Sequence, residues 1–129
     1  MYKHCRYKLL EIEKELLKDM LKENEKDTIY IKSLTRGKLT IHTLETIKEL
    51  DNKINSSLEK VEQEQAQIKK LINGIENEDT RKIFSLKYID GKTWEQIANI
   101  VYYSPSYLMR LFKEMCKSKE IANIKAFVE

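Results

Sequence analysis

Five β-branched residues recur at intervals of seven in the middle of the chain, and this repeat constrains the fold more than any other feature. They are Ile47, Ile54, Val61, Ile68 and Ile75. A seven-residue apolar repeat is typical of an α-helix that packs along its length against another helix. The repeat predicts one long helix over about residues 41–73. Its partner is either the N-terminal helix, folded back as an antiparallel hairpin, or the same segment of a second chain, and the two do not exclude each other.

The N-terminal segment, roughly Tyr2 to Asn24, carries a second apolar pattern with helical spacing. Its main stripe consists of Leu9, Ile12, Leu16 and Met20, and the residues that widen the stripe are Leu10, Leu17 and Leu21. Residues 25–40 break this pattern, because Gly37 and its Thr-rich flanks indicate a loop. Within that stretch, residues 28–31 (TIYI) are expected to form a short extended piece.

The composition favours an all-α protein. Three glycines and one proline leave few turn residues for an all-β fold, and 35% charged with 41% hydrophobic residues suits amphipathic helices. Cys5 and Cys116 are too few and too far apart for a disulfide framework. The sequence has no apolar run of about 18 residues to span a membrane, and its start lacks the uninterrupted apolar region of a signal peptide. We therefore expect a reduced, cytoplasmic protein with no membrane partner.

Three short helices are predicted from residue 77 onward, each marked by local chemistry. The first, about residues 79–89, ends at the turn pair Asp90-Gly91. Thr93, with Gln96 three residues later, has the signature of a capping box and opens the second. Ser104-Pro105 opens the third, because Ser is a favoured N-cap and Pro a favoured first helical residue. The tail, residues 121–129, either extends the third helix or docks as a further turn.

The connection between the second and third of these helices is too short for an antiparallel pair. About five residues, NIVYY, separate Ala98 from the third helix, which predicts a steep helix-turn-helix crossing. Ala98, small and inward-facing, lets the third helix approach closely. The expected shared core consists of Ile97, Val101, Tyr103, Leu108 and Leu111, whereas Trp94 is expected to pack over the first helix. The chain is accordingly divided into a helical dimerisation or interaction region, residues 1–76, and a helix-turn-helix domain, residues 77–129.

A helix-turn-helix places its recognition helix in the major groove, and nine residues are candidates for DNA contact. They are Lys92, Thr93, Gln96, Ser104, Ser106, Tyr107, Arg110, Lys113 and Lys117. Arg110 suits a bidentate bond to guanine, worth about 1–3 kcal/mol of discrimination. The hydroxyl groups at the start of the third helix can donate to phosphates or base edges. The lysines further along it suit the sugar-phosphate backbone, and the residues that open the second helix suit a flanking phosphate. An ordinary solvated helix face would show similar charges.

The stretch KYIDGKTWEQIA followed by YSPSYLMRLFK resembles the sigma-70 region 4 type of helix-turn-helix, and more closely the small phage and prophage transcriptional regulators of the RinA/ArpU kind. The resemblance covers about residues 79–117. The matching positions are Arg81, Tyr88, Ile89, Gly91, Trp94, Ile97, Ala98, Tyr103 and Ser104. The resemblance implies phage-encoded transcription regulation in a bacterial host, with RNA polymerase as a further partner. Members usually have glycine in the turn where this chain has Tyr102. A left-handed tyrosine there would cost about 1 kcal/mol.

The sequence has no glycine-rich phosphate loop and no CxxC or HxxxH pair, so we expect no enzyme activity, cofactor or metal. The resulting hypothesis is an all-α, sequence-specific DNA-binding regulator that acts on double-stranded DNA. A homodimer is expected, because one motif makes few base contacts and two half-sites supply the missing affinity. Two alternatives stay open: a sigma-like subunit that recognises promoters only within polymerase, and a protein-interaction module that docks on polymerase.

Overall fold

The computed structural model describes the backbone of residues 5–34 and 41–129, and the side chains of residues 5–30 and 45–129. The described part of the chain is built from six helices. They are α1 (Arg6–Leu34), α2 (Ile41–Asn73), α3 (Glu78–Tyr88), α4 (Trp94–Val101), α5 (Pro105–Met115) and α6 (Lys119–Val128). Because these ranges contain no strand, the predicted all-α fold is confirmed.

Helix α1 is longer than predicted. Residues 25–34 continue it without a break, so the loop and the extended piece expected there were wrong. The hydroxyl of Thr28 donates to the carbonyl of Asn24, one turn earlier, at 2.8 Å, which keeps this polar side chain bonded within the helix. The β-branched residues of this stretch cost only about 0.7 kcal/mol each or less in helix propensity. Tyr2 and Gly37 lie outside the described residues.

The chain divides into two compact units, and the second consists of Glu11–Gln63. Within it, α1 lies beside α2, since the side-chain amide of Asn24 donates to the carboxylate of Asp51 at 3.1 Å. Six positions separate the two helices in sequence, so they run antiparallel. Ile54 and Val61 of the seven-residue repeat are buried in this unit. The repeat is thus covered from within the same chain, as the hairpin interpretation requires.

The side of α1 that packs is not the stripe that the sequence favoured. Ile12, Leu16 and Met20 are 47%, 60% and 51% exposed, and Leu9 is 48% exposed. The positions expected only to widen the stripe are the covered ones, with Leu10 buried and both Leu17 and Leu21 half-buried. Both stripes have helical spacing, so spacing alone did not distinguish the packed face from the exposed one.

The first compact unit comprises Met1–Leu10 and Glu64–Glu129, and its core is both aliphatic and aromatic. Its largest fully buried side chains are Tyr88, Phe84, Ile68, Ile72, Ile83, Ile97, Leu108 and Val128. Burying one such side chain contributes about 1.5–3 kcal/mol. The Phe84 ring lies 5.2 Å from that of Tyr88 and 5.6 Å from that of Phe112, between ring centres. The contact between Phe84 and Phe112 holds α3 against α5, the helix that carries four of the nine candidate DNA contacts.

Helix α6 docks on this core and does not extend α5. Its residues Ile124 and Val128 are buried, and the hydroxyl of Tyr88 donates to the Glu129 carboxylate at 2.9 Å. Arg6 joins the same corner: its guanidinium bonds Glu64 at 2.8 Å and the carbonyl of Phe127 at 3.2 Å. The compact unit that holds residues 77–129 therefore also includes the start of α1 and the end of α2.

Candidate nucleic-acid interface

The interface begins where α3 turns into α4. Gly91 has a φ of 69°, in the left-handed region that glycine adopts without strain, and the Lys92 amide donates to the carbonyl of Leu86 at 3.0 Å. The predicted Asp90-Gly91 turn is confirmed. Arg81, which matched the regulator resemblance, donates to the carbonyl of Ile75 at 2.9 Å, so it ties α3 to the segment that follows α2.

Both halves of the predicted capping box are present at the start of α4. The Thr93 hydroxyl accepts from the Gln96 amide at 3.2 Å, and the Gln96 side-chain oxygen accepts from the Thr93 amide at 3.0 Å. Both residues are exposed. The hydroxyl hydrogen of Thr93 and the side-chain NH₂ of Gln96 are not used by the box, so they stay available as donors to an anion such as phosphate.

The turn between α4 and α5 contains a left-handed residue. Tyr102 has φ 59° and ψ 37°, its amide donates to the carbonyl of Ala98, and the Tyr103 amide donates to the same carbonyl at 3.0 Å. The strain expected for a tyrosine in place of glycine is therefore present, at about 1 kcal/mol. The Tyr102 side chain is 93% exposed, so burial of its ring does not offset that cost.

Helix α5 opens as predicted and divides cleanly into two faces. The Ser104 hydroxyl accepts from the Tyr107 amide at 3.2 Å, with Pro105 at the first turn. Leu108 and Phe112 are buried, and this side packs against α4 and α3. Of the other predicted core residues, Ile97 and Ala98 are buried, whereas Val101, Tyr103 and Leu111 are half-buried.

The opposite side of α5 presents a row of exposed polar residues. Ser106, Arg110 and Lys113 follow one another at spacings of four and three residues, so they lie on one helical face. Tyr107, 44% exposed, flanks this row. Its ring meets that of Tyr103 edge-on, with 4.9 Å between centres and 79° between planes, and the Arg110 guanidinium lies 6.0 Å from the Tyr107 ring centre. This aromatic pair restrains Arg110 while leaving it exposed.

The nine candidate residues are not all placed alike. Eight are exposed and Lys92 is half-buried. Lys117 lies beyond α5, which ends at Met115, so its predicted position along one side of that helix was wrong. Its ammonium forms an ion pair of 2.8 Å with Glu114. Glu114 is an exposed acid among the four cations of residues 104–119, and it partly offsets the cationic end of α5.

One further side chain, Met109, takes a position that was not predicted from the sequence. Met109 is 37% exposed and lies three residues after Ser106, beside the outward row. Its helical spacing from Ser106 could have indicated that Met109 is an apolar neighbour of the row, suited to contact a thymine methyl group.

The Trp94 side chain packs against neighbouring helices and does not project into solvent. Its ring meets Phe112 edge-on at 4.7 Å, and the Lys87 ammonium lies 4.8 Å from its centre.

The interface therefore offers one guanidinium, an ammonium group on α5 and several hydroxyl and amide donors, a set suited to phosphates and base edges. Among the described residues there is no cluster of three or more His, Cys, Asp or Glu that could hold a metal ion. In the same part of the chain, no helix has the length and apolar character needed to cross a membrane. No protein-family model, curated protein or solved structure matches the chain.

Proposed function

We propose that the chain is a sequence-specific DNA-binding transcriptional regulator, encoded by a phage and active in the cytoplasm of its bacterial host. The observation that supports this most is the outward row Ser106, Arg110 and Lys113 on a helix whose other face is anchored by Leu108 and Phe112. A rigid helix with an exposed cationic row suits insertion into the major groove. The resemblance of residues 79–117 to RinA/ArpU regulators supports the phage origin.

In this proposal α5 lies in the major groove with its N-terminal residues nearest the bases. Arg110, restrained by Tyr107, bonds guanine, and Ser106 donates to a neighbouring base edge or phosphate. Lys113 and Lys117 bind the backbone and supply affinity that depends on salt. Thr93 and Gln96, with donors left over from the capping box, hold a flanking phosphate together with Lys92.

The proposal includes a homodimer that binds two half-sites about one helical turn apart. In this homodimer, Ile54 and Val61 of the seven-residue repeat do not form the contact between the two copies, because both residues are already buried within the single chain. Cooperative binding to a duplex with two half-sites, compared with a duplex of equal length that carries one, tests this part of the proposal.

The experiment that tests the function is a fluorescence-anisotropy titration with duplexes from the DNA upstream of the protein's own gene, at several salt concentrations. Wild-type protein is expected to bind, with an affinity that falls as salt rises. Arg110→Ala is expected to weaken binding by about tenfold or more. Lys53→Ala, which removes an exposed cation from α2, is the matched control and should bind as wild type. Absence of salt-sensitive binding would contradict the proposal.

One observation favours the alternative of a sigma-like subunit or polymerase-docking module: α1 carries apolar residues, Ile12, Leu16 and Met20, that are about half exposed. If DNA binding appears only after bacterial RNA polymerase is added to the titration, this alternative replaces an independent regulator.

A further inference from the structure

Helix α1 presents an apolar ridge formed by Ile12, Leu16 and Met20. The three side chains follow at four-residue spacing, lie on one face, and are 47%, 60% and 51% exposed. In the same compact unit the other side of α1, with Leu17 and Leu21, packs against α2 and is half-buried. An apolar surface clustered in this way on a soluble chain marks an interaction site more often than scattered exposed residues do.

Most of the charged residues that border this ridge are acidic, although Lys8 lies four residues before Ile12 at its N-terminal end. Glu13 and Asp19 each lie three residues from Leu16, Glu23 lies three from Met20, and Asp27 lies seven from Met20. At these spacings the four carboxylates share the side of the helix that carries the ridge, and all four are exposed. We refer to them as the acidic rim.

The nearby lysines contribute less to this face. Lys18 and Lys22 each lie two residues from Met20, a spacing that directs them to other sides of the helix. Lys18 also pairs with Glu15 at 3.7 Å. Lys26 lies 3.7 Å from Glu23 and neutralises only that C-terminal end of the rim.

We propose that the ridge docks a basic amphipathic helix of a partner protein. The partner's apolar stripe covers Ile12, Leu16 and Met20, and its Lys or Arg side chains pair with the acidic rim. This pairs two amphipathic helices along their apolar faces, with anchors at three- and four-residue spacing and complementary charges at the edges. The proposal is independent of DNA binding by α5, since it concerns a different compact unit.

A second copy of this chain fits the ridge poorly. An antiparallel pairing about Leu16 sets Glu13 opposite the Asp19 of the second copy, twice over by symmetry. A parallel pairing in register sets Asp19 against its own counterpart. Like charges in such positions oppose association. The same acidic rim repels DNA and anionic lipid, which leaves a cationic protein helix as the occupant.

The test uses a fluorescein-labelled Leu/Lys peptide of about five helical turns, with Leu at three- and four-residue spacing. It is titrated with the full chain in an anisotropy assay, next to a scrambled peptide of the same composition and a Leu/Glu peptide. Wild-type protein is expected to bind the Leu/Lys peptide at a 1:1 ratio and neither control peptide. The double variant Leu16→Gln/Met20→Gln should weaken binding by about tenfold or more.

The matched control is Ile29→Gln. Ile29 is another exposed apolar residue of α1, 62% exposed, but it lies away from the ridge. This variant should therefore bind the peptide as wild type does. The variant Glu13→Gln/Asp19→Asn should weaken binding at low salt and reduce its dependence on salt. Circular dichroism checks that each variant keeps its helical content.

Three results would overturn the proposal. The first is that the double variant, with wild-type helicity, binds the peptide as tightly as wild type. The second is that the Leu/Glu peptide binds as well as the Leu/Lys peptide. The third is that sedimentation of the chain alone shows a dimer that Leu16→Gln/Met20→Gln abolishes. The last result would make a second copy the occupant.

Discussion

The guanidinium of Arg110 lies 6.0 Å from the centre of the Tyr107 ring, and the Tyr103 ring meets the Tyr107 ring edge-on at 4.9 Å. An exposed arginine otherwise samples many rotamers, and ordering it on a partner costs about 0.5–1.5 kcal/mol. The aromatic pair reduces that freedom before any partner arrives. In the proposed regulator, this contact aims the side chain that discriminates guanine.

Replacing the Tyr107 ring should therefore reduce base discrimination. Tyr107→Leu removes the contact under Arg110, and we expect the preference for guanine over other bases to fall by about threefold to tenfold, about 0.6–1.4 kcal/mol. Tyr107→Phe keeps the ring and should keep most of the preference. Competition titrations with matched and single-substituted duplexes measure it. If Phe and Leu lose the preference equally, the hydroxyl of Tyr107 and not its ring is the important group.

Relieving the left-handed residue in the turn should stabilise the fold. Tyr102 has φ 59° and its side chain is 93% exposed, so Tyr102→Gly removes strain and few contacts. We expect a gain of about 1 kcal/mol, or a Tm rise of about 3–5 °C. Tyr102→Ala keeps the strained backbone and should stay near wild type. Thermal unfolding followed by circular dichroism compares the three proteins. A loss of stability in the glycine variant would show that the Tyr102 side chain makes stabilising contacts.

The repeat on α2 should behave as an intramolecular core. Ile54 is 7% exposed and Leu50 is 47% exposed on the same helix. Ile54→Ala should lower the free energy of unfolding by about 2–4 kcal/mol, whereas Leu50→Ala should lower it by less than about 1 kcal/mol. Urea titrations at two protein concentrations measure both effects. Stability that rises with protein concentration would instead mean that the repeat is shared between two chains.

Alkaline pH should weaken the core around Tyr88. Burial raises the pKa of its phenol, and so do the hydrogen bond to Glu129 and the charge of that carboxylate. The folded protein keeps this proton where the unfolded chain releases it. Its contribution to stability is therefore complete below the unfolded pKa of about 10 and falls above it by about 1.4 kcal/mol per pH unit.

Comparing wild type with Tyr88→Phe isolates this effect. The variant lacks the hydrogen bond and should be less stable near neutral pH by about 1 kcal/mol, and the difference should shrink above pH about 10. Burial also raises the pKa values of the Cys5 and Cys116 thiols. For this reason the free energy of unfolding of both wild type and Tyr88→Phe also declines from a lower pH. Urea unfolding between neutral and alkaline pH provides the measurement. A constant difference at every pH would rule out a linked phenol proton.

The features that the sequence predicted correctly are those set by neighbouring residues. Three local signals cap or end a helix through groups a few residues apart: Ser104-Pro105, the Thr93–Gln96 box and Asp90-Gly91. Such local hydrogen bonds can be predicted without knowing how distant segments pack. The bounds predicted for the long helix, about residues 41–73, agree with those of α2, Ile41–Asn73.

The features that the sequence did not predict depend on packing between distant segments. Leu16 and Leu17 both belong to helical stripes, and only the position of α2 decides which of them is covered. The stretch from Thr28 onward has weak helix propensity, but it continues α1. The contact of Arg110 with Tyr107 depends on side-chain rotamers, which spacing restricts but does not fix.

Base reading by Arg110 of α5 can be measured by titrating wild-type protein and Arg110→Ala with substituted duplexes. A high-affinity site is first selected from random duplexes with wild-type protein, and each G·C pair of that site is then replaced singly. We expect one position where replacement costs wild type about 1–3 kcal/mol of binding free energy and costs Arg110→Ala almost nothing, because the contact is already missing. If every replacement costs Arg110→Ala as much as wild type, Arg110 does not read a base and the proposed mode of DNA recognition is wrong.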